Sequence, residues 1–311
     1  MSCHVFTEYE AYKDAHEDVD LSLTLSHPDR SSWSVRNLRI DSLHIQSASD
    51  GCGDIAEGVT RRDGWILYFQ TTGLPQLANG VELTRDSVVV AGPGTEFCFA
   101  SQSRHDWTTV FFPIASLFPS TEDEQSGSPS VIQVVRPGRA VAQRLQATVG
   151  RFMVAAEAER TVATETASVT SFREDLCSVA QRIVRGPTPP AKAKCRSVNR
   201  RHLVSQAIEQ IDGWPDMSPT IPELSRRVHA SERTLQQAFA EYLGMSPYQY
   251  MTARRLNHAR QLLLKSDPRE LSVRQAAAKV GLWDFGRFAG KYRKLFGELP
   301  SETLQRNRTN S

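Results

Sequence analysis

A chain of 311 residues with 40% hydrophobic and 23% charged side chains has material for about two soluble domains with real cores. Its five cysteines (Cys3, Cys52, Cys98, Cys177, Cys195) are scattered and never spaced as C-x-x-C, which argues against a disulfide framework or a zinc site and suits a reducing cytosol. The first 20 residues carry acidic groups without an apolar run, and no stretch nears the roughly twenty apolar residues that span a bilayer, so a leader and a membrane anchor are not expected and a cytoplasmic location is.

In chain order, residues 1–25 read as a mobile N-terminus and residues 26–185 as a first domain. From Ser34 to Leu117 the pattern is strand-like: Val35, Leu38, Ile40, Leu43 and Ile45 come near period two. Later apolar runs are Trp65–Phe69, Ser87–Val90, Phe97–Phe99 and Trp107–Phe112, separated by Gly58, Gly64, Gly73, Gly80 and Gly92-Pro-Gly94. Several short strands at this spacing predict a β-sandwich or small barrel. Ser120 to Ser130 reads as a polar loop. After Pro137 the period turns helical, with Val141, Leu145, Val149 and Phe152 on one stripe and Leu176, Val179 and Ile183 on another. Two such helices either close the open side of the sandwich or pair with a second subunit. The proline-rich run from Arg185 to Lys194 predicts an interdomain linker over 186–198, with an all-α domain over 199–305.

The net charge of +2 conceals an asymmetry. From Arg196 onward 19 Lys and Arg face 11 Asp and Glu, a balance of +8 against −6 for the rest, which suits a polyanion-binding module joined to something else. Within that basic half, Ile221–Phe239 and Ser272–Phe296 each read as a short helix, a tight turn and an amphipathic second helix. One such hairpin is a weak signal. Two, about fifty residues apart and joined by one long helical segment, point to DNA.

The second helix of the first hairpin starts at Ser231, a good N-cap. At 100° per residue Leu235, Ala238, Phe239, Tyr242 and Leu243 share the face to be buried, while Arg233, Gln236 and Gln237 share the other. Arg can bond guanine O6 and N7 together and Gln can bond adenine N6 and N7, so this outer face carries base-reading chemistry. His229 falls in the turn, where a positive φ is expected. In the second hairpin Phe285, Phe288, Tyr292, Leu295 and Phe296 face inward, opposite Arg287, Gly290, Lys291 and Lys294. Only Arg287 there has good base-reading chemistry; Lys291 and Lys294 suit phosphates. Gly286 and Gly290 read equally as room for close approach to DNA or for tight internal packing. Between the hairpins Ser246-Pro247 opens a helix of about 30 Å, near the roughly 34 Å between successive major grooves, with Arg254, Arg255 and Arg260 as further phosphate candidates.

These residues resemble the AraC/XylS family of bacterial transcriptional regulators over about Arg200 to Leu304, a third of the chain. The resemblance is carried by Ser231-x-Arg-Thr-Leu-Gln-x-x-Phe239, Gly244-x-Ser-Pro247, Arg254-Arg-Leu-x-x-Ala-Arg-x-Leu-Leu263, Ala277 with Gly281, and Phe296-Gly-x-x-Pro-Ser301. It implies a double helix-turn-helix joined by a linker helix, double-stranded DNA and RNA polymerase as partners, activation of transcription, and a small-molecule effector. By position it points to Arg233, Gln236 and Gln237 in the first unit and to Gly286, Arg287, Gly290 and Lys291 in the second. Leu282 stands where Phe is usual, and glycines stand at two positions that are often polar, so base reading by the second unit is the weaker expectation.

Glu82–Gly94 is similar to a strand-turn segment of the cupin-like sensor domain of such regulators, implying a jelly-roll β-sandwich and an α+β two-domain chain. Asp86-Ser-Val-Val-Val, Thr95-Glu-Phe, Leu282-Trp283 and Pro300-Ser-Glu-Thr-Leu304 resemble the ethanolamine-operon regulators, implying a small amine effector with a cobalamin cofactor. Trp65, Tyr68, Glu96 and Trp107 are the candidate effector-lining residues, with core packing as the alternative role. The expected switch is a change in packing or homodimer geometry of the helices within 138–185.

Three other classes compete. A metal-dependent cupin enzyme needs three or four converging ligands, and the front half offers His44 and His105 far apart with no H-x-H pair, so neither catalytic residues nor a metal site are expected. His105 beside Asp106 reads as a polar loop pair. No phosphate-loop, dinucleotide or nucleophile-elbow sequence appears. A purely architectural DNA binder has no use for a sandwich of this size. A protein-interaction module in place of a DNA binder would lack salt-dependent duplex affinity.

Overall fold

The computed structural model describes residues 2–27, 32–118, 132–158, 167–186, 191–214, 219–267 and 269–306. The loop expected over 120–130 lies outside them.

The front half is two antiparallel sheets. One runs in the order β1 (Ser2–Phe6), β3 (Trp33–Ile40), β4 (Leu43–Asp50), β11 (His105–Pro113), β6 (Gly64–Gln70), β9 (Val88–Ala91), β12 (Gln133–Val135). The other runs β2 (Val19–His27), β5 (Gly53–Thr60), β10 (Glu96–Ser101), β7 (Gln76–Ala78), β8 (Val81–Glu82). Short helices α1 (Tyr9–Lys13) and α2 (Ile114–Leu117) join strands, and α3 (Arg139–Ala158) and α4 (Ala167–Val184) follow the sandwich.

Both sheets are covered on both faces, and this determines where each side chain points. In β6 all seven residues are buried, so the strand reads as a continuous apolar run in place of an alternation. Because successive side chains leave opposite faces, Trp65, Leu67 and Phe69 join Leu145, Val149, Leu176 and Ile183 of α3 and α4 in one core. Ile66 and Tyr68 point the other way, into the core between the sheets with Val89, Phe97, Trp107 and Phe111. The helices α3 and α4 therefore close the outer face of the larger sheet, and Phe152 stacks on Phe172 with centroids 3.8 Å apart.

The smaller sheet turns its outer face to the C-terminal half. Ile55, Cys98 and Ala100 alternate away from the sandwich interior and pack in one cluster with Leu235, Phe239, Tyr242, Leu243 and Met245. That half consists of α5 (Ala191–Asp212), α6 (Ile221–Arg227), α7 (Glu232–Leu243), α8 (Pro247–Lys265), α9 (Val273–Lys279), α10 (Phe285–Phe296) and α11 (Pro300–Arg306).

Two boundary expectations are corrected. Residues 2–25 are not a loose arm. β1 pairs with β3, and α1 buries Tyr9 and Tyr12 in the sandwich core. The aromatic residues Phe6, Tyr9 and Tyr12 provide that anchor, and the acidic residues around them obscured it in the sequence. The expected linker over 186–198 is invaded by α5, which begins at Ala191 directly after the last proline of the run; residues 187–190 lie outside the described ones.

Candidate nucleic-acid interface and a buried polar cavity

Each helix of the two hairpins starts on a side chain that satisfies its first free amides. Thr220 and Glu223 form a reciprocal capping box on α6, as do Ser246 with Gln249 on α8 and Ser272 with Gln275 on α9. Ser231 accepts from the Thr234 amide at 3.1 Å to start α7, and Asp284 accepts from the Arg287 amide at 3.1 Å to start α10. His229 makes the first hairpin turn at φ +52°, the positive value expected of it. α7 buries Leu235, Ala238, Phe239, Tyr242 and Leu243, the five residues of its predicted inner face, and ends on Gly244 at φ +70°.

The opposite face of α7 presents Arg233, Gln236 and Gln237 to solvent, with Gln237 donating to Glu241 at 2.9 Å. On α10, Phe288 and Tyr292 are buried while Gly286, Arg287, Gly290 and Lys294 are exposed. Lys291 is half-buried, with its ammonium 3.3 Å from the Tyr248 hydroxyl and over that ring. The glycines are not needed for internal packing. A Cβ on Gly290 would meet nothing within 4 Å, and one on Gly286 would meet only the Asp284 carboxylate at 3.8 Å. Their openness faces outward, toward whatever the helix approaches.

The linker helix α8, 19 residues or about 28 Å long, spends its arginines differently from the sequence expectation. Arg254 donates to both oxygens of Asp212 at 2.7 Å, across to α5. Arg260 is buried, bonds Glu10 at 2.7 Å and Glu8 at 3.2 Å, pairs with Glu298, and lies over the Phe296 ring. Neither is a free cation aimed at phosphate: Arg260 sits in a buried ion-pair cluster, and Arg254 is tied to Asp212 at the surface. Arg255 is half-buried. Asn257 donates to the Leu25 carbonyl at 2.8 Å and accepts from the Leu25 amide at 3.2 Å, so α8 docks on the backbone of β2. Tyr242 reaches Asn79 of the sandwich at 3.3 Å. The C-terminal half is thus fastened to the front half along α7, α8 and α10, whose Leu295 and Phe296 reach the sandwich core.

A cavity of about 80 Å³ opens between the sheets. A single water needs roughly 10–15 Å³ on this measure, so the space suits a small molecule. Tyr68 and Trp107 line it, as do Phe97 and Phe99. Of the other two residues expected there, Trp65 faces α3 and α4 instead, being three residues from Tyr68 in one strand and hence on the opposite face. Glu96 is exposed and pairs with Arg201 of α5.

The polar end of the cavity was missed in the sequence. Asp50 closes β4, Asp54 lies near the start of β5, and His105 begins β11, and all three are buried with their ligand-type atoms within 4.8 Å of one another. Asp50 is saturated: Tyr12 donates to one oxygen, while Trp107 Nε1 at 2.8 Å and His105 Nε2 at 2.9 Å share the other. Burial alone would lower the His105 imidazole, but the Asp50 carboxylate outweighs it and pushes the ring up to about 9, a protonated partner at neutral pH. Burial, with Asp50 nearby, raises Asp54 to about 7, far above an ordinary aspartate. Burial drives His16, at the cavity wall, down to about 4, so it is neutral. The set has the composition of a metal site, yet its imidazole and one carboxylate are already committed to each other. The expected His105–Asp106 loop pair is replaced by a cross-strand pair with Asp50, which no local pattern signals, since only the pairing of β4 with β11 sets His105 opposite Asp50.

The C-terminal geometry defines a class: paired helix-turn-helix units on a shared scaffold. Residues 224–306 match the family model described as a helix-turn-helix domain. The chain is 34% identical over 103 residues to a probable thc operon regulatory protein of Rhodococcus erythropolis, covering 33% of this chain and 31% of that protein. It is 36% identical over 87 residues to the XylDLEGF operon transcriptional activator 2 of Pseudomonas putida, covering 28% and 55%. The match therefore spans only about a third to a half of these relatives. A solved probable AraC family transcriptional regulator from Rhodopseudomonas palustris is 38% identical over 34% of this chain and 96% of that one, with a TM-score of 0.31. Residues 224–306 of the C-terminal half thus carry a helix-turn-helix domain, and this region is similar to part of known transcriptional activators.

Proposed function

We propose that this chain is an effector-responsive, sequence-specific regulator of transcription, acting in the cytoplasm as an activator, and not an enzyme. The observation that carries the reading is the pair of capped helices α7 and α10, each with a buried apolar face and an exposed polar one, held by the single helix α8. Arg233, Gln236 and Gln237 on α7 and Arg287 on α10 read bases in two adjacent major grooves. Ser231, Arg255, Lys291 and Lys294 hold phosphates, and Gly286 and Gly290 let the α10 backbone approach closely. Arg254 serves this interface indirectly, by fixing α8 against α5 through Asp212.

The two-sheet front half is, in this reading, a cupin-like sensor of the jelly-roll type that takes its effector in the cavity lined by Tyr68 and Trp107. The helices α3 and α4 offer a surface for a homodimer, and RNA polymerase is the partner of an activator. Coupling has a short path: α1 carries Tyr12 to Asp50 at the cavity and, through its own Glu10 and its N-cap Glu8, reaches Arg260 of α8.

Selection of binding sites from a random duplex pool by the full-length protein, followed by salt titration of the winner, tests this. Two conserved elements about one helical turn apart, with affinity falling steeply with salt, are expected. One element alone would reduce the second unit to a phosphate clamp. No enrichment and no salt dependence would overturn DNA binding.

A further inference from the structure

Where the end of β2 meets α8 and α10, an open groove of about 290 Å³ lies at the joint of the two halves. Its rim is polar: Ser26 and His27 come from β2, Tyr248 and Thr252 from the start of α8, and Lys291 and Lys294 from α10. No carboxylate lines it among the described residues. Glu8 and Glu298, which border a neighbouring cleft with Lys294, are already spent on Arg260 and Arg306. The groove is thus a positive surface without an internal counter-charge.

The donors around it are held in place from both sides. The pairing of β2 with β5 shifts register between Leu25 and His27, a bulge of the kind that re-aims side chains. Gly53 leaves the space that His27 fills: a Cβ there would lie 2.8 Å from the His27 Cβ. Burial pushes the His27 imidazole down, so the ring is neutral at neutral pH, and Ser26 Oγ lies 3.0 Å from its Nδ1. With that hydroxyl donating to Nδ1, the Nε2–H is left for an acceptor from outside. On the opposite wall the Lys291 ammonium donates to the Tyr248 oxygen at 3.3 Å. Lys291, with Thr252 and the charge of Arg255 adding to it, holds the Tyr248 hydroxyl below the usual phenol value. Lysine can only donate, so the Tyr248 proton stays available to an acceptor.

We propose that the front half itself touches DNA: the bulged end of β2, with Tyr248, Lys291 and Lys294, forms one groove for a phosphodiester of the duplex. The inference rests on reading α7 and α10 as recognition helices. If they enter successive major grooves, the sugar–phosphate backbone between those grooves must cross the region where α8 begins and α10 passes. A phosphodiester offers acceptor oxygens and one negative charge, the complement of two ammoniums, a phenol and an imidazole N–H. The contact names no base, but it spans both halves. A shift of the sandwich would therefore change how firmly any duplex is held, even with α7 and α10 unmoved.

Fluorescence anisotropy of the full-length protein on its selected duplex tests this, with each phosphate in and around the site replaced in turn by an uncharged methylphosphonate. At one position the replacement should weaken wild-type binding about ten-fold, the size of a hydrogen bond to a charged group. Tyr248→Phe keeps the ring under Lys291 and removes only the hydroxyl, while His27→Ala removes the imidazole. Each should weaken selected and scrambled duplexes alike, by about ten-fold. The sensitive methylphosphonate should then cost each variant at least about three-fold less than it costs the wild type. Ser26→Ala stands in for His27→Ala if that variant does not melt cooperatively. Unchanged affinity in the variants, or losses that simply multiply with the methylphosphonate at every position, would overturn the groove and leave the regulator standing. Wild-type protein that binds no duplex would sink the regulator and the groove with it, and capture of poly-glutamate in place of duplex would assign the groove to an acidic protein instead.

Discussion

Replacing Arg260 by methionine gives a sharp test of how the two halves are joined. The guanidinium is 5% exposed and serves Glu8, Glu10 and Glu298 at once. Methionine fills similar space but removes the charge. Glu298, whose side chain is 11% exposed, then loses one of two cationic partners and keeps Arg306 and the Thr303 hydroxyl, while Glu8 and Glu10, at 45% and 36%, can turn to water. Stranding one partner of a buried pair costs about 3–5 kcal/mol; because Glu298 keeps Arg306 and the other two carboxylates reach solvent, this case falls below that range, at about 2 kcal/mol. Loss of the cation over Phe296 is contained in that figure. Urea unfolding of the full-length protein at neutral pH measures it as a shift in midpoint at constant slope. Adding Glu298→Leu to Arg260→Met should return most of the loss, because an apolar pair can replace a buried ionic one. A cost under about 1 kcal/mol, or a double variant no better than the single, would refute the view that Arg260 is a structural tie.

Other expectations follow from the same geometry. Gln236→Ala should cost about 1–3 kcal/mol at one base position of a selected site, whereas Lys291→Ala should weaken all sequences alike, as competition binding with point-mutated duplexes would show. Ser231→Ala removes the cap of α7 and should lower stability by about 1 kcal/mol in urea unfolding. His105 titrates near 9 when folded against 6.5 unfolded, so its stabilising share is complete below pH 6.5 and is lost as pH climbs through 9. Unfolding free energies at pH 6 and pH 9.5 should differ by up to about 3 kcal/mol, and His105→Gln should flatten that slope. An unchanged slope in the variant would place the titrating group elsewhere.

Much of the C-terminal half was legible because its signals are local. A cap followed by apolar residues at 3.6 spacing is enough to set α7, and the sorting of Arg233, Gln236 and Gln237 to the outer face follows from angles alone. The front half yields less, because strand partners are distant in sequence. Even so, strand parity alone excludes Trp65 from the face that holds Tyr68, a deduction available without any coordinates. What could not be read was the convergence of Asp50, Asp54 and His105, since registry between β4 and β11 is set by the whole sheet. The fates of Arg254 and Arg260 were hidden for the same reason. Each has the look of a phosphate contact until Asp212, Glu8, Glu10 and Glu298 are brought beside it from other elements.

The docking of Asn257 on Leu25 has a practical corollary for dissecting the protein. β2 is the terminal strand of its sheet, and Asn257 occupies both main-chain groups of one residue on that open side. A strand left bare in this way is a template for pairing with another chain. Cutting the molecule between its halves would strip the cover and bare the apolar patch of Ile55 and Ala100 beside it. The severed front half should then self-associate or precipitate, while the intact chain stays dispersed. Because the joint reads main chain and not the Leu25 side chain, it should survive a conservative apolar exchange such as Leu25→Ile, whereas proline, which lacks the amide, would remove one of its two bonds.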